Sequence, residues 1–222
     1  MRSGKKWWLV AVVFAVSASL AQSQQSATPT VAFTCDFPGS DPSHYAISLS
    51  SDGHASYTSD GKLTRDSEAS EPFSFEFAMP QPTLTHIFDL TKKAHYFEGE
   101  IDSKKKNIAS TGEKSLSYAD GQRKTSAKYN YSPIPAVAEL TSVFQNLAIT
   151  LEFGRRLEFD HRYQKLAINE ELEHMSDISS RNELGDVAVI AATLKKIIDD
   201  PSVVNTARAR AQRLLDRAGA AK

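Results

Sequence analysis

The chain has 222 residues, of which 41% are hydrophobic and 24% are charged, and its 26 lysines and arginines nearly balance its 27 aspartates and glutamates. This apolar content excludes an intrinsically disordered chain, and the lack of excess positive charge excludes the electrostatic footprint of a nucleic-acid-binding protein. The single cysteine cannot form an intramolecular disulfide, so a hydrophobic core must hold the fold together.

The first 23 residues have the three parts of a secretory signal peptide. Arg2, Lys5 and Lys6 precede an uncharged stretch over residues 7–21, and small residues at positions 21 and 23 match a signal-peptidase site, with positions 19 and 21 as a second option. A membrane-spanning helix needs about 20 apolar residues, more than this stretch supplies. We therefore predict cleavage and export to the periplasm or the extracellular space, with an uncleaved N-terminal anchor as the alternative.

The predicted mature chain is mildly acidic. Loss of residues 1–23 removes three cations and no acid, which leaves 23 basic against 27 acidic residues and a net charge of −4. No later stretch reaches membrane-spanning length, so we predict a mature chain without a membrane span and without a nucleic-acid partner. Residues 24–30 are polar and predict a flexible tether. Cys35 follows no lipobox, and a buried, unreactive thiol is expected there.

Residues 31–132 are predicted to form an antiparallel sheet that carries one helix. Apolar and polar residues alternate along several short runs, as they do in strands with one buried face. Asp-Gly pairs between these runs favour tight hairpin turns, because Asp-Gly tolerates positive φ. The predicted hairpins pair residues 44–50 with 54–58 and 113–119 with 123–131. A helix beginning at Thr83, as its capping residue, is expected to cover the sheet.

Residues 133–222 are predicted to be α-helical. The prolines at 133 and 135 mark the boundary, since proline interrupts a ladder and favours a first helical turn. Apolar residues at three- and four-residue steps then predict a long helix over 136–166, with a bend near Gly154. Asn169 is the predicted cap of a short helix, and Asp200-Pro201 is predicted to open the second helix of a C-terminal hairpin. The resulting fold class is α+β, with five to six strands.

The sheet region resembles a family of uncharacterised exported bacterial β-domains. The resemblance rests on the strand, Asp-Gly turn and strand of residues 45–57, YAISLSSDGHASY, and extends over residues 44–150. It implies a strand, a turn, a strand, a helix over Leu84–Tyr96 and a late hairpin before an exit helix. No functional residues follow from the resemblance.

Candidate catalytic and metal-binding residues do not form a recognisable constellation in the sequence. No G-x-S-x-G, H-E-x-x-H or glycine-rich phosphate loop is present. Glu170 and His174 share a helix face, but zinc takes three or four ligands. Asp160 and His161 are adjacent on a helix and point about 100° apart. We therefore predict no catalytic, cofactor-binding or metal-binding residues and no cofactor.

Three functions remain open from the sequence. The leading hypothesis is a non-enzymatic binding or scaffolding module of the bacterial cell envelope, with an envelope protein as the expected partner and a flat apolar groove as its mark. The alternative is an envelope hydrolase, marked by a pocket that holds two or more histidines beside acids. The histidines in question are His44, His54, His86 and His95. The third is a binder of lipid or a small apolar ligand, which requires a cavity at the aromatic sheet face. Against it, Phe73, Phe75 and Phe77 are expected to fill the core.

Overall fold

The computed structural model describes residues 28–64, 67 and 69–220, so the predicted signal peptide and most of the predicted tether lie outside the described residues. Six strands form one antiparallel sheet, as the sequence predicts: β1 Thr30–Asp36, β2 His44–Ser50, β3 His54–Ser59, β4 Phe73–Ala78, β5 Glu113–Ala119 and β6 Lys124–Tyr129. Their order across the sheet is β4-β3-β2-β1-β5-β6, so β4 and β6 are its edges.

Both predicted hairpins are confirmed. β2 pairs with β3 and β5 pairs with β6, and the turns contain Gly53 at φ +91° and Gly121 at φ +86°. The positive φ explains why Asp-Gly occurs at both turns. A third pair, Asp60-Gly61, lies in the long connection between β3 and β4 and forms no tight hairpin turn. Instead, the Asp60 carboxylate accepts hydrogen bonds from the Ser43 hydroxyl at 2.7 Å and the His44 amide at 2.8 Å.

Within the described residues, five α-helices accompany the sheet: α1 Gln81–Lys93, α2 Pro135–Tyr163, α3 Ile168–Ser180, α4 Ala191–Asp199 and α5 Asn205–Ala220. Short 3-10 segments lie at His95–Phe97 and Val187–Ile190. The prediction of an α-helical C-terminal region is confirmed. α2 is a single helix of 29 residues that passes through Gly154, and it ends three residues before the predicted boundary. No helix in the described part of the chain has the length and apolarity that a membrane span requires.

Three predicted helix caps are wrong. Thr83 and Asn169 lie inside the first turns of α1 and α3 and bind other elements of the structure. The Asp200 side chain binds Lys165 and the turn residue Ser202. The Thr83 hydroxyl donates to Asp186 at 2.8 Å, and Asn169 accepts from Arg210 at 2.5 Å. Asp200 accepts from Lys165 at 2.6 Å, and α5 begins only at Asn205. The hydrogen bonds of Lys165, followed by those of Ser202, hold the pKa of Asp200 well below its usual range.

The long helix α2 lies on the inner face of the sheet and joins it to the other helices. Near its start, the Phe144 ring stacks on Phe33 of the central strand β1, with centroids 5.3 Å apart and planes within 2°. Further along, Glu152 reaches Tyr57 on β3. One continuous apolar core contains residues of the sheet and of the helices. α2 therefore crosses from the centre of the sheet toward its β4 edge.

Candidate functional site

A cleft of about 500 Å³ lies between the edge strand β4 and the helical layer. One wall is the inner face of β4 and the residues just before it. The other wall comes from the second half of α2, the 3-10 segment Val187–Ile190 and the first turn of α4. Most of the lining is apolar, and Leu151 and Ile190 at its base are almost fully buried.

The β4 wall is aromatic. Phe73 and Phe75 line the cleft with nearly parallel rings, 6.2 Å apart and tilted by 10°, and the Phe77 ring continues the row 5.8 Å further on. Phe77 is buried, as the core-filling expectation requires. Phe73 and Phe75 are half-buried and pack against the core, so they fill it only in part. The cavity that the apolar-ligand hypothesis requires is present at this face.

Close helix packing fixes the opposite wall. A Cβ at Gly154 would lie 2.5 Å from Cγ2 of Ile190, a distance that real carbon contacts do not reach. Glycine therefore allows α2 to approach the 3-10 segment this closely. Ala192 and Thr193, which also line this wall, leave room in front of the aromatic rings.

Charged side chains occupy the solvent side of the cleft. Glu158 accepts from Lys196 Nζ at 2.8 and 3.0 Å and lies 4.0 Å from a guanidinium nitrogen of Arg162. The Arg162 and Lys196 side chains are 64% and 55% exposed, which places their charges at the mouth. Two cations therefore face one carboxylate here, and Glu71 adds a second carboxylate elsewhere on the lining.

A buried polar cluster supports the inner end of the cleft. Glu152 Oε1 accepts from the Tyr57 hydroxyl at 2.7 Å and from the Ser59 hydroxyl at 2.5 Å. Glu152 Oε2 lies 3.7 Å from Nη1 of Arg155, and both side chains are about 95% buried. The Arg155 guanidinium also donates to the Glu71 carbonyl at 3.0 Å and lies 5.0 Å from the Phe73 ring centroid. These contacts link α2 to β3 and to the aromatic wall.

Other buried polar groups lie away from the cleft and stabilise the sheet. The ammonium of Lys114 donates to the carbonyls of Thr111, Gly112 and Asn130 and to the Thr111 hydroxyl, at 2.9 to 3.1 Å. Burial lowers the pKa of Lys114. Cys35 is buried as expected, and burial raises the pKa of its thiol. Burial also raises the pKa of each of the four core tyrosines above its usual value; these are Tyr45, Tyr57, Tyr118 and Tyr129.

A second cavity of about 890 Å³ lies among α1, α2, α5 and the segment before Val187. It is larger and wider, and its lining mixes polar and apolar groups. Of the four histidines considered for a hydrolase, it contains His86 alone. It therefore lacks the convergence of histidines and acids that would favour a hydrolase.

The structure places the four histidines at separate positions. Three of them are exposed and pair with a carboxylate of their own; these pairs are His44–Asp36 at 2.5 Å, His54–Glu76 at 2.7 Å and His86–Glu139 at 3.1 Å. His95 is exposed in the 3-10 segment after α1, where its φ is +50°. None of the four lines the aromatic cleft.

The other candidate pairs also separate in three dimensions. His161 bonds to Asp200 at 2.9 Å, whereas Asp160 is buried and faces a small cavity beside Glu170 and Glu171. His174 is partly buried, with its ring edge-on to Phe153 at 5.4 Å. Within the part of the chain that the structure describes, no three metal-ligating side chains are grouped as a metal ion would need.

Comparison with known proteins adds no relative. No protein-family model matches the chain, and no curated protein matches its sequence. The resemblance to uncharacterised exported β-domains therefore stays a prediction.

The aromatic row can be predicted from the sequence, but the rest of the cleft cannot. The row of Phe73, Phe75 and Phe77 is visible in the sequence as strict alternation. The opposite wall comes from residues more than 75 positions later, whose approach no local pattern indicates. Nothing in the sequence indicates that Arg162 and Lys196 lie at a site, because isolated cations on helices are usually solvated.

Proposed function

We propose that the chain is a non-enzymatic binding module of the bacterial cell envelope, and that its ligand site is the cleft between β4 and the helices. The observation that carries this proposal is a cleft of about 500 Å³ with half-buried aromatic rings on one wall and apolar helix residues on the other. Sites for small ligands typically have about 300–1,000 Å³ and an apolar lining with a few placed polar groups. The ligand we infer is apolar over most of its surface.

The surroundings of the cleft suit binding. Its floor is stiffened by the buried Glu152–Arg155 cluster, and its back is fixed by the close contact of Gly154 with Ile190. A preformed site loses little conformational freedom when a ligand enters, which favours affinity. At the mouth, Glu158 pairs with Lys196 at 2.8 Å, and Arg162 lies 4.0 Å from the same carboxylate.

The test is binding of the neutral, polarity-sensitive dye Nile red to the chain from residue 24 onward, which retains every residue that the structure describes. Ala192→Trp places a large ring in the cleft from an exposed position on α4, so the fold should tolerate it. Ala209→Trp makes the same change at an exposed position of α5 away from the cleft. We expect saturable binding that Ala192→Trp weakens at least about tenfold, a change of about 1.4 kcal/mol, and that Ala209→Trp leaves unchanged. Equal binding by both variants would refute the site.

Export is the second part of the proposal and has its own test. The basic start, the uncharged stretch and the small residues at 21 and 23 support a signal peptide. Mass spectrometry of the protein recovered from its own host should find Gln24 as the first residue. An intact N-terminus in the membrane fraction would support the anchor instead. Association with another envelope protein stays a prediction for the same mature chain.

A further inference from the structure

The charges at the mouth of the cleft define the ligand class more closely. We propose, on the basis of the proposed function, that the ligand is a single-chain amphiphile with an anionic head group, of the long-chain carboxylate type. Its chain lies between the aromatic wall and the helices, and its head group lies at Arg162 and Lys196. A molecule of this class is apolar along its length and charged at one end. The cleft likewise has an apolar inner part and charged side chains at its mouth.

The inner part of the cleft fits a hydrocarbon chain. Phe73 and Phe75 present their rings on one side, and Leu151 and Ile190 lie on the other. The gain from a buried chain is proportional to the apolar area removed from water, so the site needs no directional partner along the chain. The parallel rings give a continuous apolar surface along β4.

The mouth fits an anion because the Arg162 and Lys196 cations share the single Glu158 carboxylate that pairs with them. Glu158 is held by two hydrogen bonds from Lys196, while Arg162 lies 4.0 Å from it, beyond hydrogen-bonding distance. The Arg162 guanidinium, 64% exposed and 5.9 Å from the Tyr163 ring centroid, keeps donors for a further carboxylate. A guanidinium binds a carboxylate through two parallel hydrogen bonds, which fixes the orientation of the head group.

The buried arginine is not the head-group site. Arg155 already donates to the Glu71 carbonyl, lies against the Phe73 ring and has the Glu152 carboxylate 3.7 Å away. Its charge is therefore balanced inside the protein, and a second buried anion there would meet the repulsion of Glu152. The chain end of the ligand enters first, and the charged end stays at the exposed mouth.

The experiment displaces Nile red from the chain starting at residue 24 with alkanoates from octanoate to tetradecanoate and with the matching alkanols. Affinity should rise about fourfold for each methylene until the cleft is full, which corresponds to about 0.8 kcal/mol per buried CH2. Dodecanoate should bind more tightly than dodecanol. The double change Arg162→Gln with Lys196→Gln should weaken dodecanoate about threefold to tenfold, as loss of exposed ion pairs does, and leave dodecanol unchanged. Lys195→Gln, at an exposed neighbour outside the cleft, is the matched control and should change neither.

The outcomes separate the two proposals. If Nile red binds in the cleft but alkanoates and alkanols displace it equally, the site stands and the anionic class is wrong. The anionic class is equally wrong if the double variant weakens both ligands alike. If no probe binds in the cleft, the proposed function fails with it. Sedimentation with phosphatidylglycerol vesicles, unaffected by Ala192→Trp and without displacement by free dodecanoate, would assign the charges to a membrane surface and overturn the inference.

Discussion

The buried Glu152–Arg155 pair offers the sharpest test of how the sheet and helices are joined. Glu152→Ala removes the acceptor of the Tyr57 and Ser59 hydroxyls, both of which are buried. It also leaves the Arg155 guanidinium, about 95% buried, without the carboxylate that lies 3.7 Å away. Removal of one member of a buried ion pair costs about 3–5 kcal/mol, because an uncompensated charge stays in the interior. An unsatisfied buried hydroxyl costs about 1–3 kcal/mol.

The expected loss for Glu152→Ala is about 3–5 kcal/mol of the free energy of unfolding, near the range for the pair alone. The cost of the two unsatisfied hydroxyls does not simply add to the cost of the broken ion pair, because these residues interact within one network. Arg155 also keeps its hydrogen bond to the Glu71 carbonyl and its contact with Phe73. Glu152→Gln should lower the free energy of unfolding less than Glu152→Ala, because its amide oxygen still accepts hydrogen bonds from the Tyr57 and Ser59 hydroxyls. Both variants leave the Arg155 charge without its carboxylate.

Urea unfolding followed by circular dichroism measures these differences through the midpoint and the slope. The control is Glu158→Ala, which breaks an exposed ion pair on the same helix and should cost at most about 1 kcal/mol. The double change Glu152→Leu with Arg155→Met should be less harmful than either single change, because it leaves no unpaired charge. A loss below about 1 kcal/mol for Glu152→Ala would refute the reasoning, since the pair would then not be desolvated.

Three further predictions concern stability. Gly154→Ala should lower the free energy of unfolding by about 1–3 kcal/mol, because the added Cβ is forced against Ile190. Gly219→Ala, in open space on α5, is the control and should be neutral or slightly stabilising in the same urea assay. Lys114→Met should cost about 1–3 kcal/mol in thermal unfolding by leaving buried carbonyls without a donor; an unchanged midpoint would contradict this. Stability should fall above about pH 10. The four core tyrosines have raised pKa values when folded, so the unfolded chain loses protons that the folded chain keeps, at up to about 1.4 kcal/mol per pH unit and group. The raised pKa of Cys35 acts in the same direction. Lys114, with its lowered pKa, acts in the opposite direction but is one group against these five, and urea midpoints across the alkaline range measure the sum.

The sheet was predictable because its signals are local. Alternation of apolar and polar residues defines which face of each strand is buried, and Asp-Gly at 52–53 and 120–121 fixes two hairpins through positive φ. Neither signal depends on distant parts of the chain. The third Asp-Gly pair shows the limit: Gly61 does not adopt positive φ, and a Cβ there would lie 2.8 Å from Glu152 Oε2. Its role is set by a residue on a helix far along the chain.

The helix starts were less predictable for the same reason. Thr83, Asn169 and Asp200 are good capping residues by type, yet each accepts or donates a hydrogen bond across the structure. A short polar side chain serves equally well as a cap or as a tertiary partner, and the choice depends on which groups the fold brings near. Composition and spacing contain no information about that choice.

The cleft depends on small side chains in the helical wall, and the local sequence pattern of that helix contains no signal for a cleft. An edge strand with three phenylalanines on its inner face exposes backbone groups and apolar surface, which favours aggregation unless other elements shield it. α2 and α4 face these rings across the cleft, and the small residues Ala192 and Thr193 belong to that opposite wall. Larger apolar residues at these two positions would bury the rings and fill the space. The same aromatic row that predicts a core strand therefore becomes one wall of the cleft that we propose as the ligand site, and Ala192→Trp tests that proposal directly.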